Sequence, residues 1–246
     1  MPREGKVTRS AVMSGMILLL SVSLVHASWR QEGWSPIQLS LVNPAQVFAA
    51  SKRIIGLRLN AVYGVNDTVF GVDVGLAGRA RSIVGIQANA FNQSGELRLF
   101  SSSPSPVAGV QLGVVNLSLG LHGVQLGAAN IGDVVGVQLG VTNMGGAVGL
   151  RVGVLHLGAT RGWELGVINI DDEIVGVRTG VLNLVRRTGN VRGLDLGFFN
   201  HAGRVTGVQV GVFNYCEEIR GFQLGLFNMI RRSRVFLLPI FNTSFQ

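Results

Sequence analysis

Along most of the chain an eight-residue unit recurs in which apolar and polar positions alternate and then fall out of step. GVQLGVVN begins at Gly109, GVQLGAAN at Gly123 and GVQLGVTN at Gly136, and six more copies run down to GFQLGLFN at Gly221. The spacing is 13 or 14 residues, with one interval of 17 before Gly193. Weaker copies start at Pro36, Gly56, Gly71, Gly85 and Val235, which makes fourteen. The second residue is apolar in every copy and the fourth is nearly always Leu or Val. Between them the third is polar in all but the last copy, and it is Gln seven times. Period-two alternation predicts a strand with one buried face. The apolar phase is read as facing the core and the Gln phase as facing out.

The alternation breaks after the fifth residue, usually Gly, because the sixth and seventh are mostly apolar together. A strand cannot put consecutive residues on one face without a bend. Glycine supplies the backbone freedom for such a corner. The eighth residue is Asn in eleven of fourteen copies, the exceptions being Tyr63, Gly78 and His156. Asn suits turns, and its recurrence predicts a stacked ladder satisfying backbone groups left unpaired at the corner. The variable stretches between units, such as IGDV, IDDE, VRRTGN and YCEE, are read as turns.

Two all-β architectures fit. In a β-solenoid or β-roll each repeat of about 14 residues is one coil, with a perimeter near ~46 Å and equivalent residues stacked ~4.8 Å apart. In an up-and-down outer-membrane barrel of about 14 strands, each repeat is one strand plus a turn. Spanning strands of ~9–11 residues would then leave every turn only about 3–5. The aromatic end Phe241-Asn242-Thr243-Ser244-Phe245-Gln246 favours the barrel. Short turns, and Phe199, Phe213 and Phe227 at a position that would face a polar lumen, favour the solenoid.

Composition fits an exported chain. Hydrophobic residues make up 47% and charged residues only 14%, against about 25% charged in ordinary soluble domains. Residues 1–27 read as a signal peptide: a basic start with Arg3, Lys6 and Arg9, an apolar stretch from Ala11 to Val25, and small-residue spacing at Val25-His26-Ala27. Residues 28–246 form one β-repeat domain, with degenerate repeats over 36–92, an insertion over 93–108 containing SSSPSP, and regular repeats over 109–242. Candidate caps are Ser28 to Ser35, with Trp29 and Trp34, and the last unit with Pro239. Removing the leader takes three bases and one acid from 21 and 13, so 18 − 12 leaves a net charge near +6. Cys216 is the lone cysteine and excludes a disulfide framework.

The unit GVQLGxxN resembles the repeat of bacterial surface repeat-containing proteins, over roughly Ile37 to Asn242. That resemblance implies a surface or envelope location and little more. The period and the GVQLG core are similar, more weakly, to the head repeats of trimeric autotransporter adhesins, which implies one coil per repeat. The coiled-coil stalk and membrane anchor of that family are missing, so neither adhesion nor trimerisation carries over.

The chain offers no catalytic constellation, and we expect a non-enzyme without cofactor or metal. His26, His122, His156 and His201 lack metal-ligand spacing. No phosphate loop or nucleophile elbow occurs. The acidic groups Asp171-Asp172-Glu173 and Glu217-Glu218 are read as solvated turns. The sequons at Asn66, Asn92, Asn116 and Asn242 are read as accidental. Arg186-Arg187 and Arg231-Arg232 would line up as a positive edge if repeats stack, fit for anionic glycan or lipid. The expectation is a structural or adhesive module at the outer membrane or surface of a bacterium. Its partner would be a glycan, lipid or protein, not nucleic acid; the alternative is an outer-membrane barrel.

Overall fold

The computed structural model describes residues 33–95 and 107–245. The signal-peptide reading of 1–27, most of the candidate cap at 28–35 and much of the insertion at 93–108 lie outside these residues. The fold is all-β, with no helix among the described residues. Its strands are β1 (Trp34–Val42), β2 (Ala45–Gln46), β3 (Arg53–Ser94), β4 (Val107–Leu112), β5 (Val115–Val152), β6 (Leu155–Leu165), β7 (Ile168–Val210), β8 (Phe213–Ile230) and β9 (Leu237–Phe245). They form a single sheet in the order β2-β1-β3-β4-β5-β6-β7-β8-β9.

From β1 to β8, neighbouring strands pair in parallel. β5 and β6 pair without a slip from Thr142↔Leu155 to Val152↔Leu165, so Gly149 lies on Gly162 and Asn143 on His156. The insertion leaves the register intact, because Gly85 pairs with Gly109 and Phe91 with Val115 on either side of it. Among the described residues antiparallel pairs occur only at the two ends, β1 with β2 and β8 with β9. The last unit, at Val235, therefore does not continue the parallel series, and its strand runs back across β8.

The orientation of the unit is the reverse of that expected. Gln111, Gln125, Gln138, Asn116, Asn130 and Asn143 are fully buried, while the second, fourth and sixth residues face out. Val141 is 57% exposed and Leu226 62%. The apolar core comes instead from stretches read as turns. Those stretches are strand, and the residue two places before each unit glycine points inward. Ile54, Val69, Ile83, Val107, Leu121 and Val134 belong to one cluster, and Ile174, Val191, Val205 and Ile219 to a second. Alternation specifies which residues share a face; it does not say which face is inside. The polar face goes inside because primary amides one repeat apart donate and accept along the stack, so burial leaves them paired.

Glycine makes the close stacking possible at two positions of the unit. At the first, Gly136 has φ +137°, and an added Cβ would lie 2.1 Å from the carbonyl oxygen of Gly123. At the fifth, a Cβ on Gly140 would lie 2.5 Å from Asn130 Nδ2. The first glycine thus permits the backbone corner, and the second makes room for the Asn side chain. Gly136→Ala combines a strained φ with a backbone clash and is expected to cost upwards of about 2 kcal/mol. Ala128→Val, on the exposed face of the preceding layer, is expected to stay within about 0.5 kcal/mol. Denaturant unfolding of both variants checks the contrast.

Candidate functional site

Two side-chain rows run through the interior. In the eighth-position row, Asn116 donates from Nδ2 to Asn130 Oδ1 at 2.8 Å and to the Leu126 carbonyl at 2.8 Å. Asn130 repeats this on Asn143 and Leu139, and the pattern resumes from Asn169 to Asn228. The ladder satisfies corner carbonyls. In the third-position row, Gln125 donates to Gln111 at 3.0 Å and Gln138 to Gln125 at 3.0 Å. Three times an Arg followed by an acid replaces the amides: Arg58 and Asp73, Arg151 and Glu164, Arg178 and Asp195. All six side chains are fully buried. Asp73 receives Arg58 Nε at 2.8 Å and Nη2 at 2.6 Å, and Asp195 receives Arg178 Nε and Nη2 at 2.9 Å each.

The middle pair does not close in this way, and around it the interior becomes a polar cluster. Arg151 sends Nη2 to the Gly145 carbonyl, and its Nε and Nη1 have no partner within the protein. Glu164 turns to His156, Oε1 to Nδ1 at 2.8 Å, leaving Oε2 unpaired. Thr160 Oγ1 and Asp171 Oδ1 are also buried and unpaired. Room for these groups comes from Gly132, Gly145 and Gly158, which stack one repeat apart where Ser118 stands before them and Asp171 after. His156 takes the Asn slot. Its Nε2 is buried and has no hydrogen-bond partner within the protein.

The third-position charges cancel, three Arg against Asp73, Glu164 and Asp195, which leaves Asp171 as the surplus buried acid. Its Oδ2 accepts Arg178 Nη1 at 3.1 Å. Burial, reinforced by the nearby Glu164 carboxylate and opposed by Arg178, pushes its pKa from 3.8 up to about 8. The folded chain therefore keeps a proton on Asp171 that the unfolded chain has released, throughout that window. Elsewhere, burial pushes the Cys216 thiol up to about 12, an unreactive core residue.

The other residues singled out in the sequence are not brought together. His122 is exposed, and His201 stacks on Tyr215 with ring centroids 5.0 Å apart. No cluster of His, Cys, Asp and Glu suited to a metal ion occurs among the described residues. Asp171, expected in a solvated turn, is buried in strand β7. The expected positive edge is a ladder of mixed charge: Arg231 meets Glu217 at 3.0 Å, Arg204 meets Glu218 at 3.2 Å, Arg186 meets Asp172 at 3.0 Å, and Arg232 also pairs with Glu218. At its C-terminal end a cleft of about 540 Å³ is lined by Arg192, Arg204, Arg220, Arg232 and Glu218.

No family model, curated protein or solved structure matches the chain.

The buried cluster was missed because its members were read as facing solvent. The signal was present: the third position stays polar in every copy but the last, and an acid follows each Arg one repeat later. Two outcomes follow from the cluster. Asp171→Asn removes the proton linkage, so its stability gain over the wild type grows by up to about 1.4 kcal/mol per pH unit between pH 4 and 8 and is flat above; unfolding titrations across that range measure it. Arg151→Gln with Glu164→Gln restores the amide row and is expected to stabilise by about 1–3 kcal/mol, read as a rise in the denaturation midpoint.

Proposed function

We propose that the chain is an exported β-solenoid, one coil of 13 or 14 residues per repeat, acting as a structural or binding module of a bacterial envelope. The observation that carries this reading is the parallel register: equivalent residues pair one repeat apart from β1 through β8. Bacterial outer-membrane barrels are built from antiparallel strands, so the same register disfavours the alternative. Strands as long as β7, 43 residues, fit a chain wound continuously around an axis. Thirteen parallel coils at ~4.8 Å make a rod of about 60 Å. Its buried polar rows stiffen it, and its outward apolar residues form long regular stripes, the feature a packing or binding module needs. The leader-like N-terminus supports export, and the resemblance to surface repeat proteins supports the envelope.

Paired cysteines test the winding. In a coil, Thr142→Cys with Leu155→Cys and Leu150→Cys with Trp163→Cys both react with a short thiol cross-linker, and Thr142→Cys with Trp163→Cys does not. An antiparallel hairpin between the same segments reverses that result and removes the solenoid reading.

A further inference from the structure

We propose that the rod lies flat on a lipid bilayer, its axis in the membrane plane, with the outer surface of the repeating units seated among acyl chains and the stretches between units facing water. This rests on the coil reading above and names lipid as the partner of that module. In the thirteen units from Pro36 to Asn228 the second, fourth, sixth and seventh residues face out, and all are apolar except Thr142 and Thr179. Every outward charge among the described residues lies between units, where thirteen bases stand against six acids. Equivalent residues stack one repeat apart, so the apolar positions join into one strip about 60 Å long. The units that form it take eight of every 13 or 14 residues round the coil. The strip continues past the insertion, since Gly85 pairs with Gly109 and Phe91 with Val115. Gly95 and Val107, the described residues on either side of 96–106, both lie between units.

The strip asks nothing of water. Its one irregular point is the corner between the fourth and seventh residues. There the carbonyls of Leu112, Leu126, Leu139 and Val152 accept Asn amides from inside. The amides of Gly113, Gly153, Gly166 and Gly211 donate to carbonyls one repeat on, as Gly113 does to Leu126 at 3.0 Å. In lipid an unpaired backbone group costs several kcal/mol, and these corner groups are already paired. A second copy laid alongside would cover one side of the coil and leave the rest of the strip in water, whereas a bilayer surface receives all of it. A glycan fits less well, because the rings of Phe213 and Phe227 stack at 4.9 Å and 7° and cover each other's faces, and a sugar stacks on an open face. The charges complete the match. Arg161, Arg192 and Arg220 directly precede unit glycines, so they border the strip at the level of the headgroups. The excess of bases there complements anionic phosphates.

The experiment is flotation of the full chain with vesicles of phosphatidylcholine and phosphatidylglycerol. Two double variants add the same charge to the same two repeats. Val141→Arg with Val154→Arg alters the sixth position, inside the strip, where the valines are 57% and 47% exposed. Val135→Arg with Val148→Arg alters the position that carries Arg161, Arg192 and Arg220, where they are 45% and 47% exposed. The wild type is expected to float, the first variant to lose about tenfold or more of its binding constant, and the second to stay within about twofold. Leu41→Arg with Leu76→Arg, two sixth-position residues near the other end, is expected to lose as much as the first. Circular dichroism shows that all the variants keep their strands. Equal behaviour of the two valine variants overturns the proposal, and losses confined to the central pair overturn the flat arrangement. So does a wild type that stays off the vesicles, whether as a monomer or as an oligomer that Val141→Arg with Val154→Arg dissociates. Failure of the cysteine pairs would instead remove the coil itself, whatever the flotation result.

Discussion

In-register parallel stacking is the constraint on which the rest depends. Once each residue lies over its equivalent one repeat away, every interior position becomes a row of like side chains. A row is stable only if its members can satisfy one another at the strand spacing of ~4.8 Å. Branched aliphatics do this by contact, as Val107, Leu121 and Val134 do. Primary amides do it by hydrogen bonds, because each carries both donor and acceptor. The Asn row adds a second donor per layer to the corner carbonyl, so the tightest bend in each repeat is held by side chains that are themselves held by their neighbours.

The composition of the outside follows from that of the inside. Alternation ties the third position to the second and fourth, so a buried Gln row places apolar residues on both of its flanks at the surface. The chain is therefore poor in charge for a geometric reason. It buries polar groups that can pair along an axis and exposes Val, Leu and Phe, the opposite of the usual arrangement. Exposed apolar stripes of this length are a cost in water, and they make the surroundings of the sheet part of its energetics.

Strand content, the repeating unit and the stacking of Gln and Asn into rows were legible in the sequence, because identical residues at a fixed interval take equivalent places in successive repeats. The phase was not. Hydrophobicity suggested that Val110 and Leu112 face the core, whereas Gln111 does. The turn-like stretch IDDE concealed Asp171, which is buried. Its parity relative to the unit glycine was readable, but only once the inward phase was known. The polar cluster was hidden by the same error: Arg151 and Glu164 in an outward row would be ordinary surface charges, and in an inward row they are costly.

The order of the buried charges has its own logic. From Gln87 onward each amide in the third row donates backwards, as Gln125 does to Gln111 and Gln111 to Gln87. A run of one-way donors must end on a group that only accepts. Gln87 ends on Asp73, and Gln209, below Gln223, ends on Asp195. An arginine, which only donates, then neutralises each acid from the other side, Arg58 for Asp73 and Arg178 for Asp195. The direction of hydrogen bonding in the row thus dictates Arg before acid. Glu164 is the exception that this logic explains. The next layer holds Arg178 and no Gln, so Glu164 terminates no amide run, and Arg178 is already committed to Asp195 and Asp171. Its carboxylate turns to His156, which occupies the slot where the Asn ladder is broken. Both rows lose continuity at the same layers, and that coincidence places the only unclosed charges of the third row at one point of the stack.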